Sequence, residues 1–320
     1  MLTFVGDYAP YHKVKFDNKS FLVGNLECAF CDIKANSWKS YTSVLPCKNM
    51  DFIKEINFSA LSLANNHTYD AGNFEEFYKK LETEYPNIQF FGTIEKPYVV
   101  IEEVAIIGCL EKNRSRGENI FPEESVLSLI KKIKSKFSKV YIYPHWGKEG
   151  EYTHYPSPRQ QKLAHKWIDA GASGVFGSHS HVFQGKEIYK NKPVYYSLGN
   201  FYFPHPESKI YPNTNVGLTL EIENGIKEKF IEFNENKIEY IIGKEKDILI
   251  KISAPLKDWG YFSWAKYIGK IYLSKNTASW HIRLKNNFFK TLPLFFIWQI
   301  MPKTLLFRIA SLFSVEDKKC

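Results

Sequence analysis

The chain has 320 residues, of which 44% are hydrophobic, 16% aromatic and 24% charged. That composition excludes disorder for most of its length and leaves one large globular domain or two smaller ones, with enough apolar residues for a core. The net charge of +9 is uneven: residues 255–320 hold 11 Lys and Arg against 3 Asp and Glu, so +8 sits there and residues 1–254 are close to neutral.

Five cysteines (Cys28, Cys31, Cys47, Cys109 and Cys320) are too few for a disulfide scaffold. Cys28 and Cys31 form a C-x-x-C, but no second pair completes a zinc site, so reduced and partly buried thiols are expected. The opening MLTFVGDYAP has neither the basic n-region nor the apolar h-region of a secretory signal. No run reaches the roughly 18 apolar residues that span a bilayer. The expected location is cytoplasmic.

In chain order, short apolar runs read as strands at residues 2–5, 21–24, 58–63, 88–91, 98–101, 104–108, 140–143, 174–176 and 194–197. Helical patterns fall near 73–84, 123–137 and 158–170. The first of these has apolar residues at Phe74, Phe77, Tyr78 and Leu81, a spacing of three and four. Strands interleaved with helices predict an α/β architecture. Residues 216–243 read as consecutive strands joined by turns such as Asn224-Gly225, hence an antiparallel edge or a second sheet. The reading divides the chain into a domain of residues 1–254 and a basic helical tail of 255–320. Fourteen aromatics in that tail fit either a packed appendage or helices that adsorb to an anionic membrane surface. Nucleic acid is a disfavoured partner, because the aromatics follow helical spacing and no recognised binding module is present.

The chemical signal lies at the strand ends. Asp7 follows one strand, Asn25 and Glu27 the next, then Asn65, Asn66 and His67, then His145, then His179 and His181. Open α/β sheets build their sites at such edges. Carboxylate and amide oxygens mixed with imidazoles suit Mn²⁺, Zn²⁺ or Fe²⁺, whereas an all-oxygen site would suit Mg²⁺. Two imidazoles two residues apart on an extended segment, as in GSHSH (177–181), would share one side and reach one or two ions. Such an ion activates water and neutralises charge on a phosphoryl or carbonyl oxygen. His67 follows Asn66 and precedes Asp70 by three residues, which suits a general acid oriented by a carboxylate; the alternative is that Asn66, His67 and Asp70 only cap the following helix. Glu149 and Glu151 are candidates to touch substrate or metal-bound water, or are solvated loop carboxylates. Glu187 and the turn at 197–201, with Asn200, either close the site wall or end a strand. His12, His154, His165, His205 and His281 show no partner pattern and read as structural.

The segments GDYAP (6–10), GNLE (24–27), LANNHTYDAG (63–72), the long block from His145 to Tyr189, and YSLGNFYF (196–203) resemble the capsule-synthesis CapA family, also called the poly-gamma-glutamate synthesis family, of the calcineurin-like metallophosphoesterase superfamily. The resemblance covers most of residues 1–203 and not the basic tail. It implies a layered α/β/β/α metallophosphoesterase-like sandwich. It also implies Asp7, Glu27, Asn66, His145, His179 and His181 as metal ligands, and His67 as proton donor. Three departures stand out. The first motif reads Asp7-Tyr8-Ala9 where general metallophosphoesterases carry Asp-x-His. The bridging position holds Glu27 rather than Asp. The N-terminal membrane helix common among relatives is absent from this sequence.

The expected activity is metal-dependent hydrolysis or transfer on an anionic cell-envelope polymer or a phosphorylated glycan, at a phosphoester or at a gamma-glutamyl amide. The tail would hold the protein at the inner face of the membrane. The rival expectation is a non-catalytic accessory that binds polymer or synthase.

Overall fold

The structure, a computed structural model, describes residues 1–31, 43–72, 74–111, 117–147, 151–205, 211, 213–264 and 267. Strands β1 (Leu2–Tyr8), β2 (Phe21–Leu26), β5 (Phe58–Ser62) and β6 (Gln89–Phe91) lie side by side and parallel in one sheet. Its other edge is antiparallel, through β14 (Val216–Ile222), β15 (Ile226–Phe233) and β16 (Ile238–Ile241). The consecutive strands expected over 216–243 therefore extend the first sheet instead of founding another. The second sheet runs β11 (Lys186–Tyr189), β12 (Lys192–Tyr195), β10 (Gly174–Phe176), β9 (Lys139–His145), β8 (Val104–Leu110) and β7 (Tyr98–Ile101), parallel at its centre and antiparallel at both edges. A two-stranded pair, β3 (Ala29–Phe30) with β4 (Val44–Leu45), follows β2.

The sheets face each other across a core of Phe4, Val23, Phe91, Tyr141, Tyr143 and Phe176, in which Phe4 packs against three of these rings. Central parallel strands are apolar on both faces because both are covered. On the outer face of the first sheet lie α1 (Phe74–Glu84), through Phe74, Phe77 and Leu81, and a 3₁₀ segment at Cys47–Glu55, through Met50 and Ile53. On the outer face of the second lie α2 (Val126–Ile133) and α3 (Pro158–Ala170), through Val126, Ile130, Ala164 and Trp167. The result is the α/β/β/α sandwich that the sequence reading expects.

Local signals explain the sharpest element. Helix α3 starts on a capping box, with the Ser157 hydroxyl accepting from Gln160 N and the Gln160 amide oxygen accepting from Ser157 N; Pro158 takes the first turn and Gly171, at φ 119°, ends it. Residue 6 must be glycine, because a Cβ there would collide with the Gly199 carbonyl. That close approach lets Asp7 N donate to Gly199 O and sets Asp7 opposite Asn200 of β13 (Asn200–Tyr202), a short strand parallel to β1.

The first compact unit runs Met1–Tyr267. It includes α4 (Glu245–Ser253) and the residues just after it: Leu256 and Trp264 are buried, and Trp259 Nε1 donates to Pro156 O. The second unit, Ile268–Cys320, lies outside the described residues, as do Glu149 and His281, so the helical and membrane-facing readings of the tail fall there. Among the described residues no helix is long and apolar enough to cross a membrane.

Candidate metal centre

Parallel strands of both sheets end at one edge, and the polar residues gather there. Asp7 is the penultimate residue of β1, Glu27 follows β2, Asn66 and His67 follow β5, His145 ends β9, and His179 and His181 follow β10. Asp7, Glu27, His145, His179 and His181 are all buried. They form two triads, Asp7–Glu27–His145 and Glu27–His179–His181, each with its donor atoms within 4.8 Å of one another.

Glu27 belongs to both. Its Oε1 lies 3.2 Å from His145 Nε2 and 4.0 Å from His179 Nδ1, and its Oε2 lies 3.9 Å from His181 Nδ1. Asn66 joins through its Oδ1, 2.7 Å from His145 Nε2. Burying carboxylates costs several kcal/mol per charge unless cations compensate. Two carboxylates, three imidazoles and one amide oxygen, arranged as two groups about a shared carboxylate, fit one or two divalent ions of the Mn²⁺, Zn²⁺ or Fe²⁺ kind. Burial pushes the Asp7 carboxyl up, but the hydrogen bond and charge of His145, the charge of His181 and the Asn25 amide outweigh it and hold the group below its ordinary value. Burial pushes His181 down to about 4 against the Asp7 charge, so its imidazole is neutral, the form that binds metal.

The two histidines of GSHSH do not reach the centre from an extended segment. His179 has φ 97° and His181 φ 59°, a region that non-glycine residues seldom occupy. Alternation along a strand is therefore not what aims them; a left-handed loop is. That loop is tied down where Asp7 Oδ2 accepts from His179 N at 2.9 Å.

His67 stands slightly outside the cluster. Its side chain is 15% exposed, against 3% or less for Glu27, His145, His179 and His181, and its Nε2 is 4.0 Å from Glu27 Oε1. Its Nδ1 is 2.6 Å from Asp70 Oδ2, an oxygen that also accepts from Ser43 N. Asp70 thus orients the ring and leaves Nε2 toward the cluster.

Asn200 is fully buried, with Oδ1 2.9 Å from His181 Nδ1 and Nδ2 donating to Thr214 O. Both ends of the amide are engaged inside the protein, an arrangement suited to orienting His181. Glu151 is half-buried on the loop beside Tyr152, whose ring stacks on His181 at 5.2 Å. Glu187 is remote from this edge and pairs with His165 at 2.7 Å. Three polar residues hold the ligand candidates in place. Asn25 spans the centre, donating to Asp7 Oδ1 and lying 3.1 Å from His145 Nδ1. Asn65 donates to Leu26 O and accepts from His67 N and Thr68 Oγ1. Ser178 Oγ is 3.1 Å from His145 Nδ1. The sequence singles out Asn25 and Asn65 at strand ends without giving them a role, and marks Ser178 only by its place next to His179.

Comparison with known proteins finds relatives among capsule-synthesis proteins. The chain is 30% identical over 220 residues to the capsule biosynthesis protein CapA of Bacillus anthracis, covering 61% of this chain and 52% of that protein. It is also 30% identical over 174 residues to the PGA biosynthesis protein CapA of Bacillus subtilis (strain 168), covering 49% and 45%. It therefore spans about half the length of these curated relatives. Among solved structures, a 5'-nucleotidase precursor from Thermus thermophilus is similar with a TM-score of 0.44 at 13% identity, over 80% of this chain and 59% of that one. The profile of the bacterial capsule synthesis protein family, PGA_cap, matches residues 5–205, the stretch that carries both triads and His67, and the chain belongs to that family.

Proposed function

We propose that the protein is a metal-dependent hydrolase or transferase of capsule or envelope polymer synthesis, acting on an anionic polymer or a phosphorylated precursor. The observation that carries this reading is the pair of buried triads sharing Glu27, with the more exposed His67 4.0 Å from that carboxylate. Asp7, Glu27, Asn66, His145, His179 and His181 would hold the metal. A divalent ion there lowers the pKa of water and offsets charge on a phosphoryl or acyl oxygen.

The chain's own residues supply the rest. Asp70 accepts from His67 Nδ1 and fixes the ring, so a proton on Nε2 is the one delivered to the leaving oxygen or nitrogen. Asn200 and Asn25 fix the rings of His181 and His145. The partly exposed edge of His67 is where a long polymer could enter without crossing the buried cluster.

Metal analysis together with turnover of a glycerophosphodiester tests this. Near-stoichiometric metal, with turnover reduced about 10²–10⁴-fold in His67→Ala at unchanged metal content, is expected. A protein that takes up no metal after supplementation overturns the proposal. The second reading, a non-catalytic polymer-binding accessory, is favoured by Ala9. This residue stands where a histidine ligand would be, and it is buried with its N–H donated to Tyr202 O.

A further inference from the structure

A second concavity lies beside the metal centre. It is a cleft of about 350 Å³ lined by Tyr211, Thr214, Asn215, Phe233, Asn234 and Glu235. Two routes connect it to His181. Tyr211 stacks on Tyr152, ring centroids 3.5 Å apart and planes within 4°, and Tyr152 stacks on His181. Thr214 O accepts from Asn200 Nδ2, whose Oδ1 meets His181 Nδ1. A group seated against Tyr211 is therefore separated from a candidate metal ligand by two stacked rings, Tyr211 and Tyr152.

The lining has a definite chemistry. It offers aromatic surface from Tyr211 and Phe233, amides from Asn215 and Asn234, a hydroxyl from Thr214 and one carboxylate. No Lys or Arg is among the described residues that line it. A chain of carboxylates is recognised by cations, preferably guanidinium. The amides are held in place: Asn234 Oδ1 accepts from Asn236 N and Lys237 N, and Asn215 Nδ2 donates to Glu232 at 2.8 Å. Its volume is at the small end of the roughly 300–1,000 Å³ of ligand clefts. Aromatic faces that bury C–H surface, next to fixed amides that meet hydroxyls, are the complement of an uncharged sugar ring.

We infer that this cleft is a subsite for a neutral sugar of a glycan-bearing substrate. The inference rests on the proposed hydrolytic centre and narrows its substrate class away from a bare polyglutamate chain.

Saturation-transfer NMR on the full chain tests it, using maltotriose, cellotriose and chitotriose as neutral probes and tri-γ-glutamate as the anionic one. At least one trisaccharide should bind more tightly than tri-γ-glutamate. Tyr211→Ala should weaken that binding about tenfold, while Tyr211→Phe, which keeps the ring, stays within about twofold. Binding of no trisaccharide overturns the subsite. So does unchanged affinity in a Tyr211→Ala protein with a native circular dichroism spectrum, or tighter binding of tri-γ-glutamate that Tyr211→Ala abolishes. Zinc titration calorimetry on the same samples separates the two proposals. A protein that takes up zinc and binds no sugar loses the subsite alone. One that binds sugar and takes up no zinc keeps the subsite and loses the hydrolytic centre.

Discussion

Replacing Glu27 with Gln keeps the side chain's length and shape and removes the one charge that both triads share. Its oxygens lie 3.2 Å from His145, 4.0 Å from His179 and 3.9 Å from His181, so a single substitution acts at both candidate ion positions, where His145→Ala acts at one. Loss of a group that merely supports a ligand already weakens metal binding about 10–100-fold, and a shared ligand should reach at least the upper figure. With metal at a hundred times the wild-type Kd, each bound ion stabilises the fold by about 2.7 kcal/mol; a hundredfold weaker site leaves about 0.4 kcal/mol. At roughly 2–4 °C per kcal/mol for a domain of this size, the metal-induced rise in Tm falls from about 5–10 °C per ion to about 1 °C. Without metal the sign reverses, because the amide spares the fold a buried carboxylate, and the variant should melt at or above the wild type. Differential scanning calorimetry with and without Mn²⁺, with metal content measured alongside, reads both. An unchanged metal-induced shift would refute the shared-ligand reasoning. So would equal destabilisation with and without metal, since Glu27 would then serve packing alone.

Four further outcomes are expected. Asn200→Ala should weaken metal binding about 10–100-fold through His181, as calorimetry can check; a direct substrate contact would instead raise KM at unchanged metal affinity. The turnover loss in His67→Ala should shrink when nitrophenolate replaces an alkoxide as leaving group, because that group departs without a proton; equal losses on both substrates count against His67 as the acid. In the metal-free protein burial lowers His181 to about 4 from an ordinary 6.5, so between those pH values the unfolded chain binds a proton that the folded chain refuses. Stability then falls as pH drops through that window, by about 1.4 kcal/mol per unit. Urea melts should show a shallower fall in His181→Gln, whereas Asp7, itself lowered from 3.8, acts only below that value. Removal of residues 268–320 should spare the fold and abolish binding to anionic liposomes. Removal of 255–320 also strips buried Leu256 and Trp264, about 3–6 kcal/mol of burial, and should lower Tm by roughly 10 °C or more; liposome binding by the shorter deletion at wild-type strength sinks the membrane reading.

The legible parts of the fold were those whose cause is local. Helix α3 is bounded as the pattern predicts, at Pro158–Ala170, because its capping box and terminal glycine are written in adjacent residues. The strand ends were harder. β1 runs on to Tyr8, past the apolar run of residues 2–5 that marks it in the sequence, since pairing with β2 and β13 holds it extended. The 3₁₀ segment Cys47–Glu55 has no strong period of its own. It is anchored by Asn49, which donates to Pro10 O and Tyr11 O far away in sequence. Residue type at strand ends was enough to suggest ligands. It placed Asn25 and Asn65 at strand ends but could not give them, or Ser178, an orienting role, because an ordinary polar residue becomes an orienting one only when the fold brings an imidazole or an amide to it.

The loop of His179 and His181 shows how the two kinds of information combine. Sequence supplies both imidazoles but argues for an extended backbone, and two non-glycine residues at positive φ cost about 1–3 kcal/mol each. Only contacts from other strands can offset that cost. Asp7 provides one, receiving the His179 N–H on Oδ2 while Oδ1 is held by Asn25; Asn200 provides another at the His181 ring. Asp7 and Asn200 face each other across β1 and β13, a pairing that exists because Gly6 lets the Gly199 turn approach. The strained loop and its restraint therefore depend on a glycine in the first strand, far away in sequence, which carries no chemistry of its own. A side chain at residue 6 would separate β1 from β13 and release the loop, dispersing the histidines while leaving every ligand candidate present in the sequence.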